Sequence, residues 1–294
     1  EKAKMNNSSI KIFDRHAVRL HRERAADGFG SFSFLFREAA ERLVDRLFDI
    51  RREFPLALDL GSHEGFVADI LAGRDSIQSI VQCDLSEKLV RGASGLRIVG
   101  DEEVQPFAPA TFDLVISSAS FHWINDLPGT LVQALRSLRP DGLLLVNFFG
   151  GETLKELRRS LLEVESEIKG GVSPRVSPFT DVRDAGALLQ RAGFALPVAD
   201  LETVTVSYES PQNLFHDLRG MGEVNSLIGR QKTFTSRQIM LSAFKRYREI
   251  YEDQSGRIPA TFEIITLTGW APAPNQQKAA KRGSGQVLLK DELK

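Results

Sequence analysis

Between residues 56 and 148 the chain alternates short apolar runs with amphipathic stretches, and few folds accommodate that order. The runs fall at 56–60, 80–84, 96–99, 112–116 and 143–148. Helices are predicted between most of them, at 66–72, 87–93 and 127–138, the last closed by Pro140-Asp141-Gly142. A strand that rejoins its sheet through a helix lies parallel to its predecessor, by a right-handed crossover, and both sheet faces become covered. The expected fold class is α/β, with a doubly wound, mostly parallel sheet.

The flanks read differently. Phe32, Leu35, Phe36, Ala39, Leu43, Val44, Leu47 and Phe48 recur at three- and four-residue steps, which predicts an amphipathic helix over 32–54 ended by Pro55. Residues 10–26 set Ile10, Phe13, Val18 and Leu20 among many Arg and Glu and predict a solvated helix. Further helices are expected at 152–169, 181–192, 211–220 and 236–252, and strands at 200–208 and 262–270. The division that follows is an N-terminal helical segment (1–54), one domain whose late strands rejoin the sheet (55–270), and a loosely ordered Pro/Gln/Lys/Gly-rich tail (271–294). A helical insertion at 211–256 is expected to lie over the site.

Composition narrows the function classes. A formal net charge of −1 gives no surplus for a phosphate backbone, so no nucleic-acid partner is expected. The single cysteine, Cys83, sits in an apolar run and has no partner for a disulfide or a thiolate zinc site. No apolar stretch approaches the ~18 residues that span a bilayer; the longest, 143–149, is interrupted by Asn147. The start shows no charged segment followed by an apolar one, and Lys290-Asp291-Glu292-Leu293, which resembles a retention signal, is followed by Lys294. A cytoplasmic location without membrane insertion is expected.

The chemistry-bearing residues cluster at the ends of the predicted strands. Leu58-Asp59-Leu60-Gly61-Ser62-His63-Glu64-Gly65 runs a strand into a glycine turn that opens a helix, where the backbone can approach a ligand. Asp84, followed by Leu85, ends the next strand at about the 20-residue offset where an acid receives two ribose hydroxyls. Glu64 would repel phosphate, so the ligand should carry adenosine without it. Asp101 and Glu102 follow the third strand, where an acid accepts from an adenine amino group. Ser118 and His122 lie after the fourth strand, and His122 is placed to act as general base, to hold substrate, or simply to pack and orient. No His-x-Asp pair with a later His suggests a metal site.

Together these features resemble the class I S-adenosylmethionine-dependent methyltransferases over about residues 56–150. The resemblance implies a Rossmann-like seven-stranded sheet and S-adenosyl-L-methionine as cofactor. The amino-acid end would be held by Asp59, Gly61, Ser62, His63 and Gly65, the ribose by Asp84 beside Leu85, and the adenine by Asp101 and Glu102, with Ser118 nearby. His63 stands where that motif usually has its middle glycine.

A more specific resemblance runs over nearly the whole chain. Phe121-His122-Trp123-Ile124-Asn125-Asp126-Leu127-Pro128, Gly150-Gly151-Glu152-Thr153-Leu154, Gly170-Gly171-Val172-Ser173-Pro174-Arg175, Ser177-Pro178-Phe179-Thr180, Gly220-Met221-Gly222-Glu223-Val224-Asn225 and Thr268-Gly269-Trp270 stand in order. They are similar to the methyltransferase-like assembly factors of respiratory complex I, and more distantly to malonyl-acyl-carrier-protein O-methyltransferase. With no transit peptide evident, this implies a bacterial relative of a mitochondrial matrix protein, with a complex I subunit as partner. Trp123, Asp126, Glu152 and Glu223 are the implied substrate-binding residues, the acids serving to clamp a guanidinium. Three functions fit: methyl transfer to a protein, arginine hydroxylation of a complex I subunit, and a non-catalytic assembly chaperone whose cofactor is structural.

Overall fold

The computed structural model describes residues 11–277 and Gly283. Three helices come first: α1 (Arg15–Ala25), α2 (Phe29–Phe32) and α3 (Phe34–Phe48). The alternating region then forms β1 (Leu56–Leu60), α4 (Phe66–Leu71), β2 (Ser79–Asp84), α5 (Glu87–Gly92), β3 (Leu96–Val99), β4 (Phe112–Ser118), α6 (Leu127–Ser137) and β5 (Leu138–Phe149). The second half adds α7 (Lys155–Lys169), α8 (Val182–Ala192), β6 (Ala195–Tyr208), α9 (Pro211–Gly220), α10 (Arg237–Tyr251) and β7 (Ile258–Trp270).

The strands form one seven-stranded sheet in the order β3-β2-β1-β4-β5-β7-β6. β1 to β5 pair in parallel, and β7 runs antiparallel to both β5 and β6. The doubly wound, mostly parallel sheet expected from the alternation is therefore present. Because the chain winds outward from β1 in both directions, the strand order reverses between β1 and β4. A crevice opens beyond their carboxyl ends, where open α/β sheets bind ligands.

Successive strand residues point to opposite faces, which divides the core in two. Ala57, Leu114, Ile116, Leu143 and Leu145 pack with Leu43, Val44, Leu157 and Tyr247 from α3, α7 and α10. Leu58, Leu60, Val115, Leu144 and Val146 pack with Leu131, Ala134 and Leu189 from α6 and α8. Cys83 lies in that second layer, and burial pushes its thiol pKa up.

The structure departs from the sequence reading at several points; β6 and β7, for example, begin four or five residues earlier than expected, at Ala195 and Ile258. α3 ends at Phe48, well before Pro55, because the next residues turn outward and Arg51, Arg52 and Glu53 are exposed. β5 starts at Leu138 and runs through Pro140; that proline falls in the register gap between the Leu138–Phe112 and Leu143–Leu114 pairs, where a missing N–H breaks no ladder. The tail begins ordered: Ala271 is buried, and the Gln276 amide donates to Asp141 and to the Ala271 carbonyl. The rest of the tail, including Lys290–Leu293, lies outside the described residues. Finally, α1 is not solvated: Ala17, Val18, Arg22 and Ala25 are buried, and Arg22 is only 2% exposed.

Asn147, the polar break in the longest apolar run, is buried for a reason. Its carbonyl accepts from the Ala119 amide at 2.9 Å and the Ser118 hydroxyl at 3.1 Å, while its amide donates to the Ala39 carbonyl at 2.7 Å. It ties β5, the loop after β4 and α3 together behind the crevice. Asn147→Leu keeps the volume but strips those partners, so unfolding in urea should show a loss of about 2–4 kcal/mol.

Candidate active site

β1 delivers Asp59 and the turn that follows it to the crevice. Gly61 and Gly65 take positive φ (80° and 92°), and Gly61 lies so close to Ser120 that a Cβ would collide with it. The Gly61 and Ser62 amides donate to the Cys83 carbonyl at 2.7 and 3.0 Å, and the His63 amide to Asp84 Oδ2 at 3.0 Å. The turn is thus laced to the end of β2. Asp59 is fully buried with neither carboxylate oxygen hydrogen-bonded, and Ser62 Oγ and His63 Nδ1 are also buried without partners. Burial, reinforced by the neighbouring charge of Asp84, raises the Asp59 pKa well above the usual carboxylate range.

His63, the residue in place of a glycine, adopts a φ of 51° and packs its ring against Phe36 (centroids 4.6 Å apart) and Phe29 (5.8 Å). Burial and then the Arg22 charge push its pKa down to about 4, so it is neutral at pH 7. With Asp59, Gly61, Ser62 and Ser118 it lines a crevice of about 10 Å³, room for one water. Ser118 turns its hydroxyl to Asn147, and Leu85 packs with Phe13, Val18, Trp123 and Leu227.

Two residues that sequence reasoning missed dominate the electrostatics. Arg22 of α1 places Nη1 at 3.2 Å from Asp84 Oδ2 and 3.1 Å from Glu102 Oε1, and Nη2 at 2.9 Å from Ser120 Oγ. Arg15, two turns earlier, bonds Glu102 and reaches Asp101 at 2.6 Å. Although burial opposes ionisation, Arg15 and Arg22 hold the Glu102 pKa below the carboxylate range. The signal was available: Arg15, Val18, Arg22 and Ala25 follow the 3,4,3 spacing of one helix face. A stripe with arginines on its apolar side marks buried acids opposite.

Beside this cradle lies a cavity of about 430 Å³ between β5, α7, α9 and the 221–235 loop. Its wall is largely apolar, including Leu35, Phe149, Leu157, Phe179, Phe215 and Met221. Three charged residues line it: Glu223 and Arg175, both half-buried, and Arg219, which is exposed. Glu223 Oε2 lies 3.0 Å from His122 Nε2 and accepts from Trp123 Nε1 at 3.0 Å. Burial opposes ionisation of Glu223, but His122, Trp123 and Arg22 together lower its pKa. An ionised Glu223 accepts from Nε2–H of His122, while Nδ1 on the other side of the ring is buried without a partner. The ring is fixed against Phe149, with centroids 4.7 Å apart.

Of the residues expected to bind substrate, Trp123 and Glu223 meet at this wall and two do not. Asp126 caps α6, accepting from the Gly129 amide at 2.9 Å, and is exposed. Glu152 is exposed and pairs with Lys155 at 3.5 Å. Among the described residues no group of three or more His, Cys, Asp or Glu converges as a metal site. No helix there is long and apolar enough to cross a membrane.

The donor set fits an adenosyl amino acid: buried acids end β1 and β2 and follow β3, and the unpartnered Asp59, Ser62 and His63 lie among them. Comparison with known proteins agrees. Residues 58–146 match the family model of a methyltransferase domain. The chain is 42% identical over 287 residues to the mitochondrial arginine-hydroxylase NDUFAF5 of Mus musculus, covering 95% of this chain and 83% of that protein. It is 30% identical over 297 residues to malonyl-[acyl-carrier protein] O-methyltransferase of Gallionella capsiferriformans, covering 96% and 98%. A putative methyltransferase from Bacillus halodurans superposes with a TM-score of 0.55 at 16% identity, over 80% of this chain and all of that one, and shares the fold.

His63 yields a pH signature. Its folded pKa of about 4 lies below the ordinary 6.5, so the unfolded chain takes up the proton first. Its contribution is fully present above about pH 6.5 and is lost as pH falls towards 4, at about 1.4 kcal/mol per unit. Asp59, with a raised pKa, contributes with the opposite sign, so the test compares variants. His63→Phe should narrow its stability gap to the wild type by about 2 kcal/mol between pH 6.5 and 5; parallel profiles from urea unfolding would contradict the assignment.

Proposed function

The chain belongs to the family of the mitochondrial arginine-hydroxylase NDUFAF5, within the class I S-adenosylmethionine-dependent methyltransferases, and on that footing we propose that it modifies a protein side chain during respiratory complex I biogenesis. The observation that carries this reading is Glu223, bonded to the buried His122 behind it, in the wall of a large apolar cavity beside the cofactor cradle. S-adenosyl-L-methionine would be held by Asp59, Ser62 and the backbone of the Gly61–Gly65 turn at its amino-acid end, by Asp84 at the ribose and by Glu102 at the adenine. When bound, it supplies a methyl group on a sulfonium.

The chain's own residues then have two tasks. The cavity's apolar wall excludes water and holds the stem of the acceptor side chain; Glu223 faces its polar head. His122 lies behind Glu223 and, bonded to it through Nε2, holds that carboxylate in place against the acceptor. We read residues 55–270 as the catalytic domain, with α9 and α10 as the cover of the acceptor cavity. A complex I subunit is the partner this reading requires.

A second reading, arginine hydroxylation, is favoured by the name of the relatives at 42% identity. An arginine fits the cavity as well as any acceptor does: its methylenes suit the wall, and its guanidinium suits the Glu223 carboxylate. The two readings therefore share a site and differ in the group added: a methyl from the sulfonium in one, and in the other an oxygen atom, which requires a separate oxidising co-substrate.

Peptide mass spectrometry of complex I subunits from cells with and without the protein separates them. An added methylene identifies methyl transfer, an added oxygen on arginine identifies hydroxylation, and no difference leaves an assembly chaperone. In either enzymatic case, Glu223→Gln should lower the modified fraction at least a hundredfold while the thermal midpoint shifts by only a few degrees.

A further inference from the structure

Arg22 stands where the cofactor should. Asp84 already accepts from the Ser86 amide at Oδ1 (2.7 Å) and from the His63 amide at Oδ2 (3.0 Å), and Arg22 Nη1 lies against both oxygens, at 3.4 and 3.2 Å. Glu102 Oε1 is shared between Arg22 and the Ser120 hydroxyl, and Glu102 Oε2 bonds Arg15. The carboxylates that would receive a ribose diol and an adenine amino group are thus taken up by guanidinium groups of the same chain, and little more than a water's volume stays open beside Asp59. We propose that Arg22 is an internal competitor that sets cofactor affinity: α1 docked by Arg22 closes the cradle, and cofactor binding requires Arg22 to withdraw. This rests on the reading of Asp84 and Glu102 as the cofactor's acids.

The construction of α1 suits withdrawal. Apart from Ala25, its last residue, which joins a main core next to the 3-10 turn, its clustered apolar contacts belong to a small separate group of Phe13, Val18, Trp123 and Leu227. Its other ties are polar: Asn125 Oδ1 accepts the Ile12 and Phe13 amides, Arg230 pairs with Asp14 at 3.0 Å, and His21 meets Ser226 at 3.0 Å. The 3-10 turn Ala26–Gly28 separates α1 from α2 and provides a pivot at Gly28. Detaching α1 as far as Arg24 therefore breaks a satellite cluster, while Ala25 beside the pivot keeps its place in the core. The docked state is held by a buried guanidinium between two carboxylates, an arrangement strongly destabilised when one partner alone is removed. A ligand must supply hydrogen bonds to both acids as Arg22 leaves, so the apparent affinity is reduced by the fraction of time α1 spends docked.

Trp123 extends the consequence to the acceptor side. One face of its indole packs edge-on against Phe13, with centroids 5.4 Å apart, and its Nε1–H bonds Glu223. Withdrawal of α1 frees one side of the residue that helps fix the His122–Glu223 pair, so cofactor loading and acceptor-site geometry are coupled.

Calorimetry with S-adenosylhomocysteine on the full chain tests this. Arg22→Gln should bind at least tenfold more tightly than the wild type. Asn125→Ala, which loosens the start of α1 and leaves every acid in place, should tighten binding by a smaller factor and covers the case in which Arg22→Gln does not fold. In the wild type, hydrogen exchange of residues 15–25 should accelerate at saturating ligand while that of residues 34–48 does not. Weaker or unchanged binding in the folded Arg22→Gln variant, unchanged binding in Asn125→Ala, or slower exchange in α1 would each overturn the proposal. Wild-type binding that is lost in Asp84→Asn keeps the cofactor reading whatever Arg22 does; absence of binding in all variants removes that reading and the competitor with it.

Discussion

Buried negative charge at the carboxyl ends of parallel strands is the constraint around which this molecule is organised. The winding of the sheet brings Asp59, Asp84 and Glu102 to one crevice from three separate segments, and all three are fully buried. Such a set cannot stay uncompensated in a protein interior. Two solutions operate side by side. Asp59 has no hydrogen-bonding partner and is driven towards its neutral form, while Glu102 remains ionised because Arg15 and Arg22 are brought to it. The N-terminal helices, peripheral to the sheet in sequence, are thereby tied to its functional edge. α1 is less a flank than the counter-charge of the site.

The sheet was legible because it is written locally. Residues 56–60 and 96–99 coincide with β1 and β3, and α9 with residues 211–220, since each has an apolar period bounded by turn or capping residues. The glycine turn and its acids were legible for the same reason: β1, β2 and the turn after β3 fix their spacing along the chain. What could not be read was any relation carried by folding alone. Arg22 and Asp84 are 62 positions apart, and His122 and Glu223 are 101 apart. Nothing in local periodicity distinguishes an arginine facing water from one facing a buried carboxylate. Asp126 and Glu152 show the converse. Both sit in motifs of functional type, and local geometry claims them: one as a helix cap, the other as an exposed partner of Lys155.

The two halves of the site differ in kind. The cofactor cradle is polar, tight and built from strand ends, so its side chains are held by the sheet itself. The acceptor cavity is wide and apolar, and its walls come from α7, α9 and the 221–235 loop, elements added after the alternating region. On the proposed function, that division follows from what each half recognises. An adenosyl amino acid is specified by hydrogen bonds and needs rigid donors and acceptors, whereas a side chain delivered by another protein is specified by shape and by one charge at its head. A chain can therefore change its acceptor by altering the later elements while the cradle is kept.

His63 illustrates how far the cradle itself tolerates change. A residue with a Cβ at a left-handed φ costs about 1 kcal/mol or more relative to glycine. Here the ring is packed between Phe29 and Phe36 of the N-terminal helices, which offsets that cost by apolar burial. The same packing fastens α2 and α3 to the glycine turn, so the turn no longer moves independently of them. α1, beyond the Gly28 pivot, is left as the element with few apolar ties to the rest. If the cradle is to open at all, the physical path of least resistance is there: the aromatic clamp on His63 holds one side shut, and only the charge-held side can yield to a ligand that replaces its hydrogen bonds.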